Sequence, residues 1–549
     1  MSFKLTFLFT IIYFACQYQV LAKDYYVHPK LGKDTNTGRS TEEAFKTLDY
    51  ASTLKYLPGD RLLLATGQTY HSALQLINTH GTISSPIIIT SIPWEASESF
   101  LKATIDFKGK ANGILLEDCS FIEISHINLT GNGFINNNPK QKMRCAILIT
   151  SENDERIEHI NIKNVSVFDV YFENYGFIRD ENEVKTANGT QKYGWGIRVI
   201  NKNPKHTITN INIDSCDIKH VSHTGIKLTG KNKNILNINI KNNTVKKTGG
   251  PGIQMSEVQS VYVANNLVYN SGSNDDSRKW GRGSGLWTWG SSKVLIEKNK
   301  FLYANGPGDS AGAHIDFNCD NIVLQYNLSA YNSGGFCEIL GNNYNCSYRY
   351  NISINDGNRT KGVDGAFQEG KILWLSGYQG NKKERKGPVN TYFYNNTIYS
   401  DATVISKIAI DKTSKGILIA NNIFYLEGDT KAVLGDQYTP DKLTGDIAKN
   451  VFFQNNLFLS KNNWPKDIGI NDIAPIYGNP EFIKKGGIEI SDYIPTNIDL
   501  IHYKGINITL LPNDTLGLLQ SLKIEKDILG NSVSIKPSLG AIEPFSVND

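Results

Sequence analysis

An asparagine that returns once in every short β-rich segment constrains this chain more than any other feature. It stands in Ile240-Lys241-Asn242-Asn243-Thr244-Val245 and in Val263-Ala264-Asn265-Asn266-Leu267-Val268, and it recurs at Asn299, Asn327, Asn351, Asn396, Asn422 and Asn456. From Asn243 onward the spacings are 23, 33, 28, 24, 45, 26 and 34 residues. A base period of one coil, lengthened irregularly by loops, is the signature of a stacked β-solenoid. Parallel coils about 4.8 Å apart bring like residues into ladders, so each asparagine can bond the ones above and below it. All eight are therefore read as structural. A chain of 549 residues would ordinarily argue for several domains, but a solenoid grows by adding coils.

A second strand in each coil follows a glycine-rich turn, as in Gly225-Ile226-Lys227-Leu228-Thr229, Gly252-Ile253-Gln254-Met255-Ser256, Gly285-Leu286-Trp287-Thr288-Trp289 and Gly312-Ala313-His314-Ile315-Asp316-Phe317. Strand alternation puts Ile226, Leu228, Ile253, Met255, Ala313, Ile315 and Phe317 inside. Lys227, Gln254, Trp287, Trp289, His314 and Asp316 are then expected outside, as one ladder.

The opening Tyr25-Tyr26-Val27-His28-Pro29 with Gly32-Lys33-Asp34 resembles the entry strand of the pectate-lyase-like right-handed parallel β-helix superfamily. Phe45-Lys46-Thr47-Leu48, Leu57-Pro58-Gly59-Asp60 and the closing Asp527-Ile528-Leu529-Gly530-Asn531 and Ser538-Leu539-Gly540-Ala541-Ile542-Glu543 continue the resemblance. It implies an all-β, single-stranded right-handed parallel β-helix over 23–549, with an N-terminal cap and a looser closing region after about residue 470. It says little about chemistry, because that superfamily holds lyases, hydrolases, esterases and adhesins.

The chemistry is expected in 272–345. The insertion Ser273 to Arg282 is polar, sets Trp280 between cationic residues and leads into Trp287 and Trp289. Two outward tryptophans expose apolar surface unless something covers them, and a stacked sugar ring is one cover; packing under the loop is the other. Asp316 is the leading catalytic candidate, since its neighbours Ile315 and Phe317 are apolar and a turn aspartate would sit beside Gly or Asn. The segment 309–327 also resembles hydrolytic β-helix proteins such as the α-fucosidases of glycoside hydrolase family 141, which implies a catalytic role for Asp316. Those proteins often carry a second acid where this chain has His314, which could orient a hydroxyl or share a proton with Asp316.

Glycoside hydrolysis needs two carboxyls. Glu338, one coil beyond Asp316, is the expected partner if Cys337 and Ile339 are core and turn it outward; stacked in register the two would lie roughly 5 Å apart. Asp356 and Glu369 are alternatives, although Asn355-Asp356-Gly357 is also a ready turn. Arg198, Lys227 and Arg282 supply cations, with His220 and His223 nearby, and Asn342 an amide, suited to binding a sugar, anionic in the case of Arg198 and Lys227. The same cations would serve a lyase that neutralises a uronate carboxyl and removes the adjacent proton. The expected function is thus a glycan-cleaving enzyme, a glycoside hydrolase with Asp316, Glu338 and His314 at its centre. The alternatives are β-elimination and a non-catalytic glycan-binding solenoid.

The charge balance, 57 basic against 53 acidic residues, gives no basic footprint for nucleic acid. No phosphate-binding loop, dinucleotide fingerprint or zinc-protease motif occurs, so neither cofactor nor metal is expected, and the partner is a glycan. Lys4, the apolar run from Leu5 to Ala15 and Val20-Leu21-Ala22 read as a signal peptide over 1–22, too short to span a membrane. The mature chain is expected in the periplasm or outside the cell. Lipid attachment at Cys16 is the rival reading. The remaining six cysteines, without a CxxC pair, are read as small buried hydrophobes.

Overall fold

The computed structural model describes residues 22–94, 101–133, 143–185, 192–272, 275–380, 382–433, 450–462, 464 and 470–544. The signal-peptide residues 1–21, Cys16 among them, and Ser273 and Asn274 of the insertion lie outside the described residues. Three sheets run along the molecule, of 14, 12 and 14 strands. Sheet I begins with Asp24–Val27 and Arg61–Ala65, sheet II with Thr69–Tyr70 and sheet III, the 12-stranded one, with Leu74–Ile77. The chain visits I, II and III in turn and adds one parallel strand to each per coil. Parallel strands joined this way wind right-handedly, and the result is a parallel β-helix. Among the described residues, no helix is long and apolar enough to cross a membrane.

Alternation fills the bore. On sheet III, Ile147, Ile197, Ile226, Ile253, Leu286 and Ala313 stack as one inward row, all part of one continuous core. The six cysteines are buried and unbridged.

The asparagines stand at the corner between sheets I and II. Each side-chain amide donates to the Oδ1 of the next, from Asn243 through Asn266, Asn299, Asn327, Asn351, Asn396 and Asn422 to Asn456, at 2.9–3.0 Å. The run ends on Asp472 at 2.7 Å. The backbone N–H of each asparagine donates to the same oxygen, as Asn299 N–H does to Asn327 Oδ1 at 3.0 Å, so the ladder satisfies buried corner amides that sheet pairing leaves free. Asn299→Ala strips partners from buried groups on two neighbouring coils and should cost roughly 3 kcal/mol of stability, read as a lower denaturant midpoint.

A second ladder sets the turn from sheet II to sheet III. A Cβ on Gly225 would lie 2.9 Å from Gly252 O, one on Gly252 2.7 Å from Gly285 O, and one on Gly285 2.4 Å from Gly312 O. The glycines are there because the stacked backbones leave no room for a side chain. Beyond residue 478 the chain folds back along the outside. Leu511 and Leu518 pack on Tyr392 and Tyr394 of sheet I, and Leu539 and Ala541 on Ile352 and Tyr399 of sheet II. That segment leaves the outer face of sheet III uncovered, and the site lies there.

Candidate active site

The outer face of sheet III is flanked by the loops arriving from sheet II, including 303–312 and 355–370. One outward row runs Leu148, Arg198, Lys227, Gln254, Trp287, His314, Glu338, Trp374. Trp289 and Asp316 belong to a second row, two residues further along their strands. The single ladder expected from alternation is therefore two rows. The strand Ala313–Ile315 ends before Asp316, so Phe317 escapes the core alternation assigned to it. It lies half-buried on the outer side, edge-on to Trp289 at 5.7 Å and to Tyr378 at 5.5 Å.

Register also corrects the carboxyl pair. Cys337 and Ile339 are core, which turns Glu338 outward as expected. However, Ile315 pairs with Ile339, so Glu338 stands opposite His314 and not beside Asp316. One strand over and two residues along, it is offset from Asp316 by roughly 8 Å between backbones. Gly335 pairs with Ala311, not with Gly312, and the strand lies two residues from the register that would set Glu338 beside Asp316.

An acid that alternation did not reveal stands nearby. Asp309 is 6% exposed and held by Arg282, whose Nε donates to Oδ2 at 2.9 Å and Nη2 to Oδ1 at 3.1 Å. Burial opposes the charged form of Asp309, but the charge and hydrogen bonds of Arg282 outweigh it, and its pKa lies below the ordinary carboxylate value. Asp316 is pushed the other way. Burial in the groove floor raises it to about 7, against the attraction of His314, with Glu338 and Asp309 adding to the rise. Among the described residues its carboxylate accepts from the Phe317 N–H at 2.8 Å. Glu338 is raised too, by burial and then by the charge of Asp309, against Lys371, Arg359 and Arg282. Burial lowers His314, whose Nδ1 shares a hydrogen bond with Ser284 Oγ at 2.9 Å, so the ring is neutral at pH 7. The floor thus holds one charged carboxylate and two protonated carboxyls at mildly acidic pH.

Trp287 and Trp289 are half-buried, and the indole N–H groups of both, with that of Trp374, have no hydrogen-bond partner among the described residues. Trp280 does not cover them: it stacks on His223 at 4.7 Å, near Tyr193. Trp374, in the same outward row, is buried at 4% exposure; it packs on Leu340 and Ala409 and carries the Lys371 ammonium 4.0 Å from its ring centroid. Arg282 and Asn342 were expected to meet substrate. Arg282 is committed to Asp309, and Asn342 is absorbed by a turn, bonded to Asn318 at 2.7 Å and to the Tyr344 hydroxyl at 3.0 Å. Arg198 and Lys227 do face the groove, on adjacent strands. His220 sits on sheet II between Asp169 and Asp275. Asp356 is fully buried in the turn, accepting from Asn332 and Ser353, and Glu369 accepts from the Lys361 N–H. Asp356 is thereby kept out of the groove. A cavity of 520 Å³ lies beside the loops, lined by Gly281, Pro307 and Arg359 among others, and contains none of Asp309, Asp316 and Glu338. Among the described residues no three His, Cys, Asp or Glu side chains are grouped to hold a metal ion.

Residues 195–381 match the family model described as a right handed beta helix region. Over 629 aligned positions the chain is 24% identical to the lacto-N-biosidase of Bifidobacterium longum subsp. longum, with 94% of this chain and 36% of that protein covered. It therefore spans about a third of the length of that curated relative. Among solved structures it is similar to the GH136 lacto-N-biosidase of Eubacterium ramulus, with a TM-score of 0.53, 18% identity and coverage of 75% and 68% of the two chains. It is also similar to XylC in complex with xylose, with a TM-score of 0.52, 12% identity and coverage of 95% and 98%. The chain is a right-handed parallel β-helix, nearly all β.

Proposed function

We propose that this protein is an exported glycoside hydrolase that cleaves a glycan lying in the sheet III groove, after removal of residues 1–22. The observation that carries the reading is the split between two neighbouring acids: Asp309 charged against Arg282, and Asp316 protonated by burial. Carboxyl groups driven apart in this way divide into acid and base. Asp316 donates its proton to the departing glycosidic oxygen as the C–O bond breaks and a water oxygen bonds to the anomeric carbon. Asp309 takes that water's proton as the base, each of its oxygens keeping a lone pair beyond the one given to Arg282. The pairing of Asp316 with Glu338 is less suited, because both are held in the acid form. Glu338 instead offers a neutral O–H to a sugar hydroxyl. Trp287 and Trp289, both half-buried, offer ring faces for stacking. The likeness to lacto-N-biosidases favours the same class of reaction.

Mass spectrometry of products tests the reaction type. Fragments summing to substrate plus water are expected; fragments summing to the substrate alone mean elimination and sink the acid pair. The pH profile tests the roles. Asp316 must be protonated, so kcat/KM should fall as pH rises through about 7. Asp309 must be charged, so the acidic limb should lie below 3.8, its ordinary value. A rate that climbs with pH through 8 would remove Asp316 as the acid.

A further inference from the structure

Toward the N-terminal end the groove becomes cationic. Lys227 stands three strands from His314 in the same outward row, with Arg198 one strand further, so it is roughly 14 Å from that histidine at the usual strand spacing. Arg198 is 8% exposed, and its Nε is buried without a hydrogen-bond partner among the described residues. Its guanidinium lies 4.1 Å from the Trp195 ring centroid, with Nη1 against Met143 Sδ at 3.2 Å. Among the described residues no carboxylate balances either cation. Arg198 and Lys227 repel each other, and the Cys145 thiol lies within reach of both. That thiol is itself pushed up to about 12 by burial and is neutral. Burial, then the like charge of Arg198, holds Lys227 down to about 7, and burial keeps the neighbouring His223 uncharged. The segments 134–142 and 186–191, which precede the flanking strands, contain no Asp or Glu.

Other buried arginines are compensated. Arg179 pairs with Glu173, Arg278 with Asp276 and Arg282 with Asp309, and Arg144 donates to the carbonyls of Lys110, Gly131, Gly133, Tyr171 and Phe107. Two adjacent cations withdrawn from water with no counter-charge are unfavourable to the fold, and an incoming anion would relieve both the desolvation and the repulsion.

We infer that Arg198 and Lys227 form an anion subsite of the groove, which takes a carboxylate or sulfate group borne by a sugar of the bound glycan. This rests on the glycan-cleaving function proposed above and places the acidic sugar several rings from the bond that is cut.

Calorimetric titration of the whole protein at pH 6, where Lys227 is charged, tests it without reading turnover. The probes are an oligogalacturonide with its carboxyl-reduced form, and a κ-carrageenan oligosaccharide with its desulfated form. One anionic member should bind about tenfold or more tighter than its neutral counterpart, and which one does so distinguishes carboxylate from sulfate. Arg198→Gln and Lys227→Gln should abolish that preference while leaving neutral-sugar affinity unchanged, which also certifies the fold, and Lys227→Arg should retain it. Neutral sugars bound with no anionic preference, or a preference that survives both glutamine variants, would overturn the subsite alone. Binding of no glycan at all would overturn the proposed function with it.

Discussion

Asp316→Asn should abolish turnover and make the protein more stable. The acid role is worth roughly 10²–10⁴ in rate, and asparagine keeps the Oδ1 that accepts the Phe317 N–H while losing the proton to be donated. The stability gain follows from linkage. The folded pKa of Asp316 is about 7, above its ordinary 3.8, so the unfolded chain releases a proton that the folded chain retains. This penalty is absent below pH 3.8, grows between 3.8 and 7, and is complete above 7. Its removal should gain on the order of 2 kcal/mol at pH 8 and nothing at pH 3.5. Asp309→Asn should cost as much activity but with the opposite sign in stability, since it leaves Arg282 buried without its partner. Glu338→Gln should cost less than about tenfold if that residue only positions a hydroxyl. Thermal scans at the two pH values, beside initial rates, separate the three acids. An Asp316→Asn variant that is slower but no more stable would show that burial is not what holds the proton.

The difference between Asp316 and Asp309 explains what could be read in advance. Asp316 announces itself because two apolar residues flank it and a turn does not need it. Asp309 lies in Gly306-Pro307-Gly308-Asp309-Ser310, where an aspartate looks like turn chemistry. Its role comes from a residue one coil away. A signal existed: Arg282 precedes Gly285 by three residues and Asp309 precedes Gly312 by three, so aligning the coils on these two stacked glycines sets opposite charges side by side. The same alignment fails one coil later, where Gly335 pairs with Ala311, and the register that would set Glu338 beside Asp316 lies two residues from the one the strands adopt. The asparagine corner was legible throughout because each rung bonds the next and has to recur. Groove residues have no such reason to repeat, so their neighbours depend on register, which a one-residue irregularity changes.

Arg282→Met should be the most damaging single change outside the acids themselves. It preserves much of the side-chain length but removes the guanidinium that donates two hydrogen bonds to Asp309 and leaves the carboxylate to the weaker influence of His314 and Arg359; breaking a buried pair this way costs about 3–5 kcal/mol. With Arg282 in place the folded pKa of Asp309 lies below 3.8, so the ion pair contributes stability above pH 3.8 that is lost as pH falls through the folded value. Without Arg282, burial is opposed by the weaker pull of His314 and Arg359, so the folded pKa rises and the stability that the pair contributes above pH 3.8 shrinks. The rate profile should follow. Its acidic limb moves up toward the limb set by Asp316 near 7, and the bell narrows and falls. Replacing both members, Arg282→Met with Asp309→Leu, should recover most of the stability and none of the activity. Urea melts at pH 5 and 8 with the rate profile of the single variant decide the matter. A stable Arg282→Met protein with an unmoved acidic limb would mean that Asp309 owes its charge to something else, and the division of labour between the two aspartates would fall with it.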